Sequence, residues 1–130
     1  MKIETAVMSG INVMVLGGRF DAGEVDSFRA YVSKFALAAP EFFVIDMSEV
    51  DYIDSGGLGC LVSFLRRVRR NEGDIKLAMV SDKVRNVFEL TRLYRIFEIF
   101  DHTQVAVNSY SRALPTGGGD GMYRENFGNA

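Results

Sequence analysis

A chain of 130 residues with 48% hydrophobic and 25% charged content can fill one packed core, and it is short for two, since single domains commonly take about 100 to 150 residues. A formal net charge of −2, one cysteine and one histidine argue against a general nucleic-acid surface, an internal disulfide and a metal cluster, and fit a reducing compartment. The opening residues MKIETAVMSG lack a charged leader followed by an apolar stretch, and no run approaches the roughly 20 apolar residues of a membrane span, so a cytoplasmic protein is expected.

Residues 2–8 and 11–16 are β-prone and flank Ser9-Gly10, a small-residue pair suited to closing a hairpin. Gly17-Gly18 is expected to end the second strand. Asp21 then caps a helix carrying Val25, Phe28, Val32 and Phe35 on one face, running to about Leu37 and stopping before Pro40. The continuous apolar run FFVID at 42–46 suits a central strand covered on both sides.

A short strand segment at 50–53 leads into Asp54-Ser55-Gly56-Gly57 and a helix from around Leu58. Its apolar stripe is Leu58, Leu61, Val62, Leu65 and Val68, with Arg66, Arg67, Arg69 and Arg70 on the other faces, gathered toward the end where positive charge is favoured. Asn71-Glu72-Gly73-Asp74 breaks the chain before a strand at 75–80, with Ile75, Leu77 and Met79 on one face. Ser81 or Asp82 caps a helix that turns Val84, Val87, Phe88 and Thr91 inward. A last strand at 96–100 precedes Asp101, read as the cap of a weaker helix to about Arg112 that packs through Val105 and Ala106.

The order ββαβαβαβα predicts a single α/β domain, a mixed β-sheet with parallel crossover strands and about four helices, over residues 1–113. From Leu114 the composition shifts to PTGGGDGMYRENFGNA, so 114–130 reads as a glycine-rich flexible tail or a short interaction arm.

The chemistry worth weighing lies in DYIDSGGLGCL, residues 51–61. Asp54 or Ser55 can cap the following helix while the glycines make a tight turn. A hydrolytic serine would need G-x-S-x-G and a base, whereas the lone His102 starts the last helix. A Walker-type loop would need a lysine that Gly57, Gly59 and Cys60 do not supply. Phosphorylation of Ser55 would add about −1.5 to −2 charges at a helix start, where free amides favour an anion; it is compatible with capping.

DYIDSGGLGCL resembles the D-S-[ST]-G-[LIVM]-[GA] loop of STAS domains, specifically the bacterial anti-sigma-factor antagonists. GGRFD at 17–21 is similar to that family's turn before the first helix, and FFVIDMSEVDYID and VSDKVRNVFELTRLYRIFEIF to its central strand and its closing segments, so the likeness runs over about residues 1–109. The resemblance implies a STAS fold and no catalysis of its own. It implies an anti-sigma factor with serine kinase activity as partner, and release of a sigma factor when that partner is bound. Phosphorylation of Ser55 would end the binding and a phosphatase would restore it. No cofactor, metal, nucleic acid or membrane span is implied. By motif, Ser55 is the phosphoacceptor, Asp54, Gly56, Gly57 and Leu58 belong to the recognition loop, and Asp21 contributes from the neighbouring loop. Two residues depart from the pattern: Gly56 stands where a second serine or threonine is common, which is expected to loosen the loop, and Arg19 stands where an acidic residue is frequent.

Two other readings stay beside this one. The domain could be a constitutive STAS subunit of a signalling scaffold or lipid-transport complex, its serine never modified. It could also be a small nucleotide-binding enzyme using the glycine loop, which the missing lysine and histidine partners argue against. Cys60 is expected as a small buried thiol rather than a reactive one. The arginines are either a solvated face or a contact for an acidic partner, Tyr52 and Tyr94 are either interface anchors near the loop or core residues, and His102 is assigned no function.

Overall fold

The computed structural model describes residues 1–113, with side chains to Ser111. The expected tail at 114–130 lies outside the described residues. The chain folds as a five-stranded mixed sheet in the order of the sequence. Strands β1 (Lys2–Met8) and β2 (Ile11–Phe20) form the antiparallel hairpin, and β3 (Phe42–Ile53), β4 (Asp74–Ala78) and β5 (Ile99–Phe100) follow in parallel. The hairpin turn is the expected one: Ser9 and Gly10 both take positive φ, 54° and 79°, the twist that a two-residue connection requires.

Helices α1 (Val25–Val32), α2 (Ser55–Arg70) and α3 (Asp82–Leu90) fill the crossovers and pack on one face of the sheet, as right-handed connections between successive parallel neighbours demand. Phe28, Leu61, Phe64, Leu65 and Phe88 meet Phe43, Ile45 and Met47 there, all essentially inaccessible. Helix α4 (Thr103–Ala113) covers the other face, where Ala106, Val107 and Tyr110 meet Val13, Val44 and Ala78. Strand β3 is thus buried on both sides, as its unbroken apolar run predicts.

Several boundaries differ from the sequence reading. Gly17-Gly18 does not end β2. Gly18 takes φ +100°, and the register with β3 shifts on either side of it, so the pair forms an irregularity that bends the strand while pairing continues to Phe20 and Ile53. That continuation makes residues 50–53 the far end of a twelve-residue β3 rather than a separate segment.

Helix α1 stops at Val32, short of Leu37. The Arg67 guanidinium donates to the carbonyls of Val32 (3.1 Å) and Phe35 (2.8 Å), and Leu37 turns back into the core at φ +53°. These contacts close the segment without another helical turn.

Met79 does not share the inward face of Ile75 and Leu77, because the chain leaves β4 at a residue with φ +62° and its side chain emerges. Ser81, not Asp82, caps α3, accepting from the Val84 amide. Thr91 is exposed; its hydroxyl donates to the carbonyl of Val87 at 2.7 Å instead of filling the core.

The last strand keeps only Ile99–Phe100 because Arg92 in the left-handed region starts a 3-10 turn at Leu93–Arg95. On α4 the exposed Val105 is not a packing residue; Ala106 is, together with Val107 and Tyr110. Asp101 is exposed and lies 3.5 Å from the Arg85 guanidinium.

Candidate functional site

The C-terminal ends of β2 and β3 lie side by side, with Phe20 paired to Ile53, so the two chains leaving them emerge together. Each immediately starts a helical turn. Asp21 accepts from the Gly23 amide (3.0 Å) and opens the 3-10 turn Ala22–Glu24 that precedes α1, rather than capping α1 itself. Asp54 opens α2, its Oδ1 accepting from the amides of Gly56 (2.8 Å) and Gly57 (3.1 Å). The choice between Asp54 and Ser55 as cap is therefore settled: Asp54 caps, and Ser55 is the first residue of the helix, three positions earlier than the expected start at Leu58.

Asp54 also joins the two turns. Its Oδ2 accepts from the Ala22 amide (3.1 Å), and its own amide donates to the Phe20 carbonyl (3.3 Å). One carboxylate thus serves two helix starts. Bonds from Gly57 first, and from Ala22 and Gly56, hold its pKa below the usual carboxylate value against some opposing burial, and the charge of Arg19 adds to the effect. At neutral pH Asp54 is an anion with its lone pairs fixed by backbone donors.

This arrangement leaves Ser55 exposed, released from the capping role and on the first turn of a sixteen-residue helix that has no acidic residue in that turn. Gly56 is not a loosening element. It is helical, and a Cβ placed on it would stand 2.9 Å from the Cα of Ala22, so glycine is what lets the two turns close on each other. Gly57 and Leu58 lie beneath the surface; a Cβ on Gly57 would run into the Phe20 carbonyl oxygen, and Leu58 belongs to the main core. These two seat the loop from below, while Asp21, Asp54, Ser55 and Gly56 reach the surface to differing extents.

Arg19 lies beside the same edge, its guanidinium carbon 3.9 Å from the centre of the Tyr52 ring and its Nε 3.7 Å from Asp21 Oδ2. Tyr52 is half-buried under the guanidinium, so the two residues pack together next to Asp21. Tyr94 is elsewhere: it lines an open groove with Arg85, Phe88, Glu89, Phe97, Glu98 and Ile99. Cys60 is buried, and desolvation pushes its thiol pKa up, which disfavours the thiolate. The Ala22 amide and the Arg19–Tyr52 stack were not found by sequence reasoning; each joins residues about thirty positions apart with no local signal.

A family model of the STAS domain matches residues 2–106. An anti-sigma-B factor antagonist of Listeria monocytogenes is 36% identical over 85 residues, 62% of this chain and 75% of that protein. An anti-sigma-factor antagonist (STAS) domain protein from Planctomyces limnophilus superposes with a TM-score of 0.73 at 20% identity, covering 80% of this chain and 93% of that one. The anti-sigma factor antagonist SpoIIAA in its unphosphorylated form superposes with a TM-score of 0.64 at 21% identity, covering 87% of this chain and all of the other (100%). The chain belongs to the STAS domain family.

Proposed function

We propose that this STAS domain is an anti-sigma-factor antagonist: it binds an anti-sigma factor with serine kinase activity, frees a sigma factor, and is switched off by phosphorylation of Ser55. It acts by binding and has no catalysis of its own. The observation that carries this reading is the placement of Ser55. It is an exposed hydroxyl at the first position of α2, on an edge stiffened by the Asp54 carboxylate.

A rigid acceptor suits a two-state surface. Unmodified, Ser55 and Gly56 offer a small, low relief between Asp21 and the start of α2, against which a partner can close. A phosphoryl group adds a dianion and three acceptor oxygens at that point. The positive end of the α2 dipole stabilises it locally, so the fold persists while the docking surface is blocked. A phosphatase acting on phosphorylated Ser55 restores the original surface. A penalty of about 3 kcal/mol on docking is more than a hundredfold in affinity.

The test is binding to the anti-sigma kinase of the same genome by wild type, Ser55→Ala and Ser55→Asp, with phosphate mapped by mass spectrometry after incubation with ATP. The reading expects phosphate on Ser55, none on the alanine variant, and loss of binding by the aspartate variant. An aspartate variant that binds as wild type does, with no phosphate on Ser55, overturns it.

A further inference from the structure

The four arginines of α2 divide into two kinds. Arg67 holds the end of α1 through the carbonyls of Val32 and Phe35, and Arg69 pairs with Asp74 (3.0 Å) and donates to the Ile96 carbonyl (3.0 Å). Both belong to the fold. Arg66 and Arg70 are exposed, and among the described residues neither forms an ion pair.

Helix polarity does not account for both. The C-terminal field rewards positive charge within the last turn, and Arg66 precedes that turn. Its position is set relative to Ser55: eleven residues of α-helix make about three turns, so Arg66 lies on the same exposed side, roughly 16 Å along the axis. Arg70 follows one turn later. Between Ser55 and Arg66 is Gly59, exposed, where an added Cβ would meet nothing within 4 Å. Glycine is poorly suited to a helix interior, and unlike Gly56 and Gly57 no neighbour among the described residues requires it. The side of α2 that begins at Ser55 therefore carries two unpaired cations and one unfilled position.

We infer that the exposed side of α2, from Ser55 past Gly59 to Arg66 and Arg70, is a docking strip for an acidic surface of the anti-sigma kinase. The inference rests on the reading of Ser55 given above and extends it along the helix. Guanidinium groups pair with carboxylates through two parallel hydrogen bonds, which fixes register as well as attraction. Gly59 lets the partner approach close to the helix between Ser55 and Arg66. A nucleic-acid backbone fits less well, because the strip begins beside the anionic Asp54 and the whole chain carries net charge −2. Phosphorylation at Ser55 then acts at one end of a surface whose other end supplies the electrostatic anchor.

The experiment measures affinity for the same kinase at about 50 and 300 mM salt, where screening of exposed charges differs strongly, for wild type, R66E/R70E, Gly59→Leu and Ser55→Asp, with thermal midpoints recorded for each. The strip predicts at least a tenfold loss for R66E/R70E at low salt, a flatter salt dependence for it, and a loss for Gly59→Leu, with both variants folded. Wild-type-like binding by folded R66E/R70E, alongside loss in Ser55→Asp, overturns the strip and leaves the Ser55 switch standing. No binding by wild type overturns both. A gel shift of single-stranded RNA by wild type that R66E/R70E loses, while its kinase binding is retained, assigns the arginines to nucleic acid and also overturns the strip.

Discussion

The Asp54 carboxylate receives the amide of Ala22, 32 residues earlier in the chain, at 3.1 Å while its other oxygen caps α2 through Gly56 and Gly57. The bond ties the turn before α1 to the start of α2, so Asp21 and Ser55 are presented on one edge.

Asp54→Ala is expected to lower the thermal midpoint and loosen both turns, because three backbone donors lose their acceptor together. Asp54→Asn keeps an acceptor and loses the charge, so it falls between. The folded-state pKa of Asp54 lies below its unfolded value, so its contribution is present above about pH 4 and is lost as pH falls through the folded pKa. Urea unfolding of wild type and Asp54→Asn between pH 3 and 7 checks this: their difference in stability should shrink toward the acid end. A constant difference across that range contradicts the clasp.

Three glycines of α2 make opposite predictions for one substitution. Gly59→Ala is expected to raise stability by about 0.5 to 1 kcal/mol, since the new methyl meets open space and the helix gains a better former. Gly56→Ala should lower it by about 1 kcal/mol, as crowding against Ala22 outweighs that gain. Gly57→Ala should lower it by about 3 kcal/mol, because its methyl has only the Phe20 carbonyl and the Phe20 and Ile53 side chains to displace. Chemical denaturation of the three variants reads the signs directly, and a stabilising Gly56→Ala would show that the turns do not need to close so tightly. Gly56→Ser, which restores the hydroxyl common in the family, meets the same backbone and should behave like Gly56→Ala.

On the other face, the Tyr110 hydroxyl donates to the Phe43 carbonyl at 2.8 Å inside the α4 interface. Tyr110→Phe is expected to cost about 1 kcal/mol at neutral pH. Burial, aided by the charges of Asp74 and Glu98, raises the Tyr110 pKa well above that of a free phenol. The unfolded chain releases this proton near pH 10 while the folded chain keeps it, so stability falls as pH rises beyond about 10. The advantage of wild type over Tyr110→Phe should therefore shrink by up to about 1.4 kcal/mol per pH unit above that point. Guanidinium unfolding from pH 8 to 11 measures it, and parallel curves would place the phenol in contact with water.

Local patterns carried most of the architecture. Ser9-Gly10 announces the hairpin, the apolar run from Phe42 fixes a strand covered on both sides, and the spacing of Leu58, Leu61, Leu65 and Val68 fixes the buried face of α2. At several places where the reading slipped, a distant partner decides the outcome. Gly17-Gly18 looks like an end until β3 pairs through it, and α1 looks longer until Arg67, 35 residues from Val32, takes up its last carbonyl. Tyr110 is missing from the expected contacts because its place depends on Phe43, 67 residues away. The site divides likewise. Ser55 and Asp54 stand out in the motif, whereas the need for Gly56 is visible only when Ala22 is beside it, and Arg19 finds its meaning only against the Tyr52 ring.

Ser55→Asp should leave the fold intact and raise its stability by about 0.3 to 1 kcal/mol at low ionic strength. The first turn of α2 holds no acidic residue, and a negative side chain there faces the positive end of a sixteen-residue helix. Because Asp54 performs the capping, replacing the hydroxyl of Ser55 removes no bond from the helix start. The gain should fade with added salt, as an interaction between exposed groups does. Thermal unfolding of wild type and Ser55→Asp at about 20 and 500 mM salt checks both parts. A lower midpoint in the aspartate variant would mean that charge at this position disturbs the domain itself, and a blocked interface would no longer explain lost binding. An unchanged or higher midpoint assigns that loss to the docking surface.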